Sequence, residues 1–198
     1  MDTILVASTN RGKVREIQAF LEGLPYAFET LAGRPGLPVF PETGKTFEDN
    51  ARGKSLFYGG FTGGLVLAED SGLEVDALGG APGVYSARFS DPGATDERNI
   101  DKVLDLLSGV PGPRRTARFV CCMVLSRDKR VLKEIRGTVE GRITTARQGG
   151  AGFGYDPIFY YPPLGKTFAE LTAGEKNSVS HRGQALKQLR EFLAPKNE

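Results

Sequence analysis

The spacing of apolar residues changes within a few positions of the start, and that change restricts the folds open to this chain. Thr3 to Ser8 (TILVAS) is a short apolar run. After it, Val14, Ile17, Phe20, Leu21 and Leu24 recur every three or four positions, the repeat of one helical face. A strand that gives way at once to a helix opens an α/β fold. Thr9-Asn10-Arg11-Gly12-Lys13 is then a strand-to-helix turn, with Thr9 or Asn10 as its N-cap.

Both spacings return, in irregular order. Leu37 to Lys45 is proline-rich and irregular. Thr46-Phe47-Glu48-Asp49 resembles a capping box with Asp for Glu, and opens a helix predicted to stop at Gly59-Gly60. Leu65 to Ala68 reads as the next strand, followed by a glycine-rich loop. Asp96 to Leu107 is an amphipathic helix with Ile100, Val103, Leu104 and Leu107 on one stripe. Thr116 to Ser126 and Val131 to Val139 form a hairpin across Arg127-Asp128-Lys129-Arg130. A strand near Pro157 to Tyr161 follows, then a capping box at Thr167-Phe168-Ala169-Glu170, and Leu186, Leu189 and Leu193 mark the last helix. Strands and helices mix without strict βαβ alternation, which predicts an α/β fold with a mixed sheet. No repeat, low-complexity tract or linker divides the chain.

Several function classes drop out on composition. The 198 residues, 39% hydrophobic, suffice for one core or for one domain with two lobes. A net charge of +2 supplies no basic arm for nucleic acid or for a membrane surface. No apolar run approaches the ~20 residues of a membrane span. The N-terminus has no basic segment before its apolar run, so it reads as a strand and not as a signal peptide. Cys121 and Cys122 are adjacent in an apolar run, face opposite ways and are poor disulfide partners, which points to a reducing cytoplasm. The single histidine, His181, excludes a zinc site built on several histidines, and no GxSxG elbow is present.

Five stretches carry chemistry-bearing residues. In STNRGK, Ser8 to Lys13, free helix amides, hydroxyls and one lysine suit phosphate. In PETGKTFEDNARGK, Glu42 lies in the irregular segment, while Asn50 and Lys54 share a helix face. In AEDSGLEVDALGGAPGVYSARF, Glu69 and Asp70 follow an apolar strand, the end at which α/β sheets bind ligands, and magnesium favours one or two carboxylates. In GGAGFGYDP, Phe153 and Tyr155 sit among glycines as stacking surfaces for a base. In EKNSVSHRG, His181 and Arg182 place cations in a helix's first turn, where the helix dipole disfavours them.

Together these stretches, in this order and spacing, resemble the inosine triphosphate pyrophosphatase family, from about Ile4 to Leu189. The resemblance implies one α/β nucleoside-triphosphate pyrophosphatase domain over residues 1–198, with an elongated mixed sheet, flanking helices and two lobes around a nucleotide-binding cleft. It implies a homodimer, Mg²⁺ as cofactor, and hydrolysis of ITP, dITP and XTP at the α-phosphate to the monophosphate and pyrophosphate. By matching motif, Asp70 is the general base and a metal ligand, and Glu42 is the second metal carboxylate. Ser8, Thr9, Asn10, Arg11, Gly12 and Lys13 hold phosphates, and Ser71 contacts substrate. Phe153, Gly154, Tyr155 and Asp156 line the base pocket, which Lys176, His181 and Arg182 complete. Glu69 stands where some relatives carry Asp, so its reach to the metal, direct or through water, stays open. The competing readings are a related pyrophosphatase for other modified nucleotides and a nucleotide-binding module without catalysis.

Overall fold

The structure is a computed structural model and describes residues 2–195. The strands are β1 (Asp2–Val6), β2 (Tyr26–Thr30), β3 (Leu65–Val75), β4 (Thr116–Arg127), β5 (Arg130–Ile143), β6 (Phe159–Tyr161) and β7 (Lys166–Thr167). The helices are α1 (Arg11–Leu21), α2 (Phe47–Thr62), α3 (Asp96–Leu106), α4 (Ala173–Val179) and α5 (His181–Leu193). The sheet order is β2-β1-β3-β4-β5-β6-β7. β1 runs parallel to both neighbours, whereas β5, β6 and β7 pair antiparallel, so the sheet is mixed as the irregular alternation predicts.

The chain gathers into two compact units. Among the described residues, the first holds 2–70, Cys121–Gly137 and 182–195; the second holds Ser71–Val120 and Thr138–His181. In the first unit, alternate strand residues bury opposite faces of the sheet. Ile4, Val6, Leu65 and Leu67 pack with Ile17 and Leu21 of α1 and Leu186 and Leu189 of α5. Leu5, Ala7, Val66 and Ala68 pack instead with Tyr58 of α2. Cover on both faces explains why these strands read as unbroken apolar runs. In the second unit, Leu73, Val75, Ile100, Val103 and Leu107 join an aromatic group in which the Phe119 ring lies 4.5 Å from Phe159 and 5.8 Å from Phe168.

Several elements depart from expectation. α2 continues through Gly59-Gly60 to Thr62 and ends on left-handed Gly63. Glycine inside a helix costs only about 1 kcal/mol, and a side chain at Gly60 would meet Lys129 at 2.9 Å. β3 does not end at Ala68 but continues to Val75, carried by buried Leu73 and Val75. Glu69 and Asp70 are therefore inside a strand. They still lie beyond the end of β1, whose last pair with β3 is Val6↔Leu67. β2, β7 and α4 have no counterpart in the sequence reading, although Tyr26 and Phe28 alternate in β2. The β4–β5 turn places Asp128 and Lys129 at φ 48° and 60°, the left-handed pair that a two-residue hairpin loop needs.

Candidate active site

The turn after β1 is built from its own polar side chains. Asn10 caps α1: its Oδ1 accepts from the N–H of Gly12 at 2.9 Å and of Lys13 at 3.1 Å. Ser8 Oγ accepts from Asn10 N–H at 3.2 Å. Thr9 and Arg11 are exposed, and Gly12 and Lys13 are half-buried. This turn brings Lys13 Nζ to 3.3 Å from Glu69 Oε1.

Glu69 is the centre of a buried ion network. Arg182 donates to it from Nε at 3.1 and 2.9 Å and from Nη2 at 2.7 Å, and reaches Glu16 Oε2 from Nη1 at 2.5 Å. Glu69 and Arg182 are each only 2% exposed. Charges that deeply buried persist only when paired. The sequence reading sends Arg182 to the base, yet within the first unit its guanidinium grips two carboxylates.

Asp70, 6% exposed, is next along β3. Burial pushes its carboxyl above the ordinary aspartate range, and Glu42 adds to the push. Lys13, a hydrogen bond from Asn50 and Lys54 pull the other way. The Asn50 amide donates to Asp70 Oδ2 at 2.9 Å. Lys54, one helical turn further along α2, pairs with Glu42 and donates to the Glu69 carbonyl at 3.1 Å. Asp70 and Glu42, the two predicted metal carboxylates, thus lie within electrostatic reach of each other and of Lys13 and Lys54. Hard carboxylate oxygens with lysines beside them suit a divalent cation and phosphate oxygens. Glu16 has no place in the sequence reading; the one signal for it is its position three residues after Lys13, on the same helical face. The sequence places Asn50 and Lys54 on one helix face, but their links to Asp70 and Glu42 cross the chain and leave no local pattern.

In the second unit, Asp156 organises the glycine-rich loop. Its Oδ2 accepts from Phe153 N–H at 3.0 Å and from Lys176 Nζ at 2.6 Å. Lys176 Nζ also sits 4.5 Å from the centre of the Phe153 ring. Gly154 N–H donates to Asp96 at 2.7 Å. Phe153 is half-buried and remains a surface for a flat base. Tyr155 corrects the stacking expectation: its ring is buried in the core and its hydroxyl donates to the Ser86 carbonyl at 2.8 Å. Ser71, half-buried, opens this unit. His181 is buried against Phe119, with ring centroids 4.8 Å apart and planes 13° from parallel.

Known proteins match this chain over nearly its whole length. The family model of the Ham1 family covers residues 4–192. A dITP/XTP pyrophosphatase of Exiguobacterium sibiricum is 50% identical, over 96% of each chain. A solved HAM1 protein of Coxiella burnetii is 42% identical, with a TM-score of 0.89 over 98% of each chain. The Ham1 protein of Staphylococcus aureus is 41% identical, with a TM-score of 0.86 over 96% of this chain and 97% of that one. With sequence, motif order and fold in agreement, the chain belongs to the Ham1 family.

Proposed function

We propose that this chain hydrolyses noncanonical purine nucleoside triphosphates (dITP, XTP and ITP) to the monophosphate and pyrophosphate, with Mg²⁺ as its metal. The observation that carries the reading is Asp70: a buried carboxylate within reach of Glu42, held by Asn50 and flanked by Lys13 and Lys54. A relative 50% identical over nearly the full length bears the name dITP/XTP pyrophosphatase, which supports the substrate class.

Asp70 and Glu42 would hold the cation, since magnesium commonly takes one or two carboxylates and fills its octahedron with phosphate oxygens and water. Bound there, the cation would supply positive charge to the phosphates and make the attacking water more acidic. Asp70 would take that water's proton. Lys13 and Lys54 bring positive charge to the phosphates, the main requirement of phosphoryl transfer. The turn from Ser8 to Lys13 contributes hydroxyls and the start of a helix, and Ser71 adds a further hydroxyl. Phe153, with the backbone from Gly154 to Asp156, offers a face for the base. Lys176 has only donors, so it complements the C6 carbonyl of inosine and xanthosine and opposes the C6 amino group of adenine. His181 supplies a further donor. A homodimer in the cytoplasm belongs to the same proposal, and light scattering at the mass of two chains tests the dimer. Among the described residues, no helix is long and apolar enough to cross a membrane.

The test is pyrophosphate release from ITP, dITP, XTP, GTP and ATP, with magnesium and after chelation. The first three are turned over only with the metal, and ATP is rejected by up to ~10⁴-fold, the scale reached when buried donors lose their acceptor. Equal turnover of ATP and dITP overturns the reading.

A further inference from the structure

We propose that Asn50 is a positioning residue that holds the two metal carboxylates in register, by tying Asp70 to the loop that carries Glu42. The inference deepens the metal assignment above and rests on it. Asn50 is 1% exposed, on the inner face of α2. Its Nδ2 donates to Asp70 Oδ2 at 2.9 Å, and its Oδ1 accepts from Gly44 N–H at 2.8 Å. Only one orientation of the amide satisfies both partners. Flipped, it would set its oxygen against a carboxylate and its NH₂ against an N–H. A carboxylate at this position cannot donate, and an alkyl side chain can do neither.

Gly44 lies two residues beyond Glu42, and Thr43 N–H closes a tight turn onto the Pro41 carbonyl at 3.0 Å. The single bond from Gly44 to Asn50 therefore anchors the backbone of a short, bent segment. The fit is close: a Cβ on Gly44 would stand 2.6 Å from Asn50 Oδ1 and 2.9 Å from Asp49 Cβ. One turn further along α2, Lys54 takes hold of the Glu42 side chain. A single helix thus fixes one carboxylate directly and the other through its loop. Magnesium tolerates little departure from its octahedron, so the relative placement of its two carboxylates governs its affinity. Partners that orient metal-bound carboxylates typically change metal affinity or activity by 10–100-fold when removed.

Two variants separate positioning from packing. Asn50→Leu keeps the branching and the heavy-atom count of the side chain and removes both hydrogen bonds. Gly44→Ala keeps both side chains in the sequence and forces the loop and the Asn50 amide apart. Mn²⁺ binding is followed by electron paramagnetic resonance and Mg²⁺ binding by calorimetry, both without nucleotide, and the magnesium concentration for half-maximal turnover is measured beside them. The dissociation constants rise by about 10–100-fold in Asn50→Leu and shift in the same direction in Gly44→Ala, while the nucleotide KM at saturating magnesium stays that of the wild type. If Asn50→Leu does not fold, Gly44→Ala carries the test. A folded variant with a lowered melting temperature and wild-type metal affinity, beside an active wild type, overturns the positioning role and leaves the functional reading standing. A wild type that neither binds the metal nor needs it overturns both.

Discussion

Glu69→Gln removes one charge from the buried network and turns one of its two acceptor oxygens into a donor. Arg182 then keeps its positive charge at 2% exposure, with Glu16 as its remaining carboxylate in the network. Breaking a buried ion pair from one side costs about 3–5 kcal/mol, because the other charge stays buried without compensation. Glu16 retains one hydrogen bond and the glutamine oxygen can accept another, so the lower end applies, ~3 kcal/mol. For a chain of this size each kcal/mol moves the melting temperature by about 2–4 °C, which predicts a fall of roughly 6–12 °C. Urea unfolding followed by circular dichroism, with calorimetry for the midpoint, measures both quantities. Replacing both partners, Glu69→Leu with Arg182→Met, is expected to cost less than Glu69→Gln alone, since apolar pairs often match buried ion pairs in stability. A Glu69→Gln protein within about 1 kcal/mol of wild type, the range of an exposed pair, would refute the buried-network argument.

Two further outcomes follow from the same physics. Burial raises the Asp70 carboxyl in the folded state, so between its unfolded and folded values the folded chain binds more protons; stability falls as pH rises through that window, and the penalty persists at neutrality. Asp70→Asn is therefore more stable than wild type in chelator at pH 7.5, by calorimetry, and the gap closes as the pH falls below the folded value; equal stability at pH 7.5 contradicts this. Gly152→Ala puts a Cβ 2.0 Å from Asp156 Oδ2 at φ +78°, and the loop cannot keep both its path and the Asp156–Lys176 bond. Nucleotide KM should rise at least tenfold, in the 1–3 kcal/mol range of a strained backbone position, with metal affinity unchanged; a wild-type KM would detach this loop from the base.

Much of the scaffold is legible because its signals are local. The Asn10 cap, the Thr46 cap, the Thr167–Glu170 capping box and the Asp96 helix are read from neighbouring residues and stand as expected. The β3 boundary was not, because two acids in a row look like a strand end. They are kept within the strand by Arg182, more than one hundred residues away in sequence, and by Asn50. Tyr155 misled for the reverse reason. Its glycine neighbours suggest exposure, whereas its hydroxyl finds a distant carbonyl that lets the ring be buried. Pairs that span the chain leave no spacing to read, so Glu69–Arg182 and Asn50–Asp70 appear only once the chain is folded.

The central claim is that water attacks the α-phosphate of a noncanonical purine triphosphate at Asp70. Turnover of dITP in H₂¹⁸O with magnesium, with products resolved by mass spectrometry, tests it most directly. The account predicts deoxyinosine monophosphate and pyrophosphate, with the label in the monophosphate, and in folded Asp70→Asn a rate at least ~10²–10⁴-fold lower. Label in the pyrophosphate, release of inorganic phosphate with a diphosphate, or undiminished turnover by Asp70→Asn would contradict it.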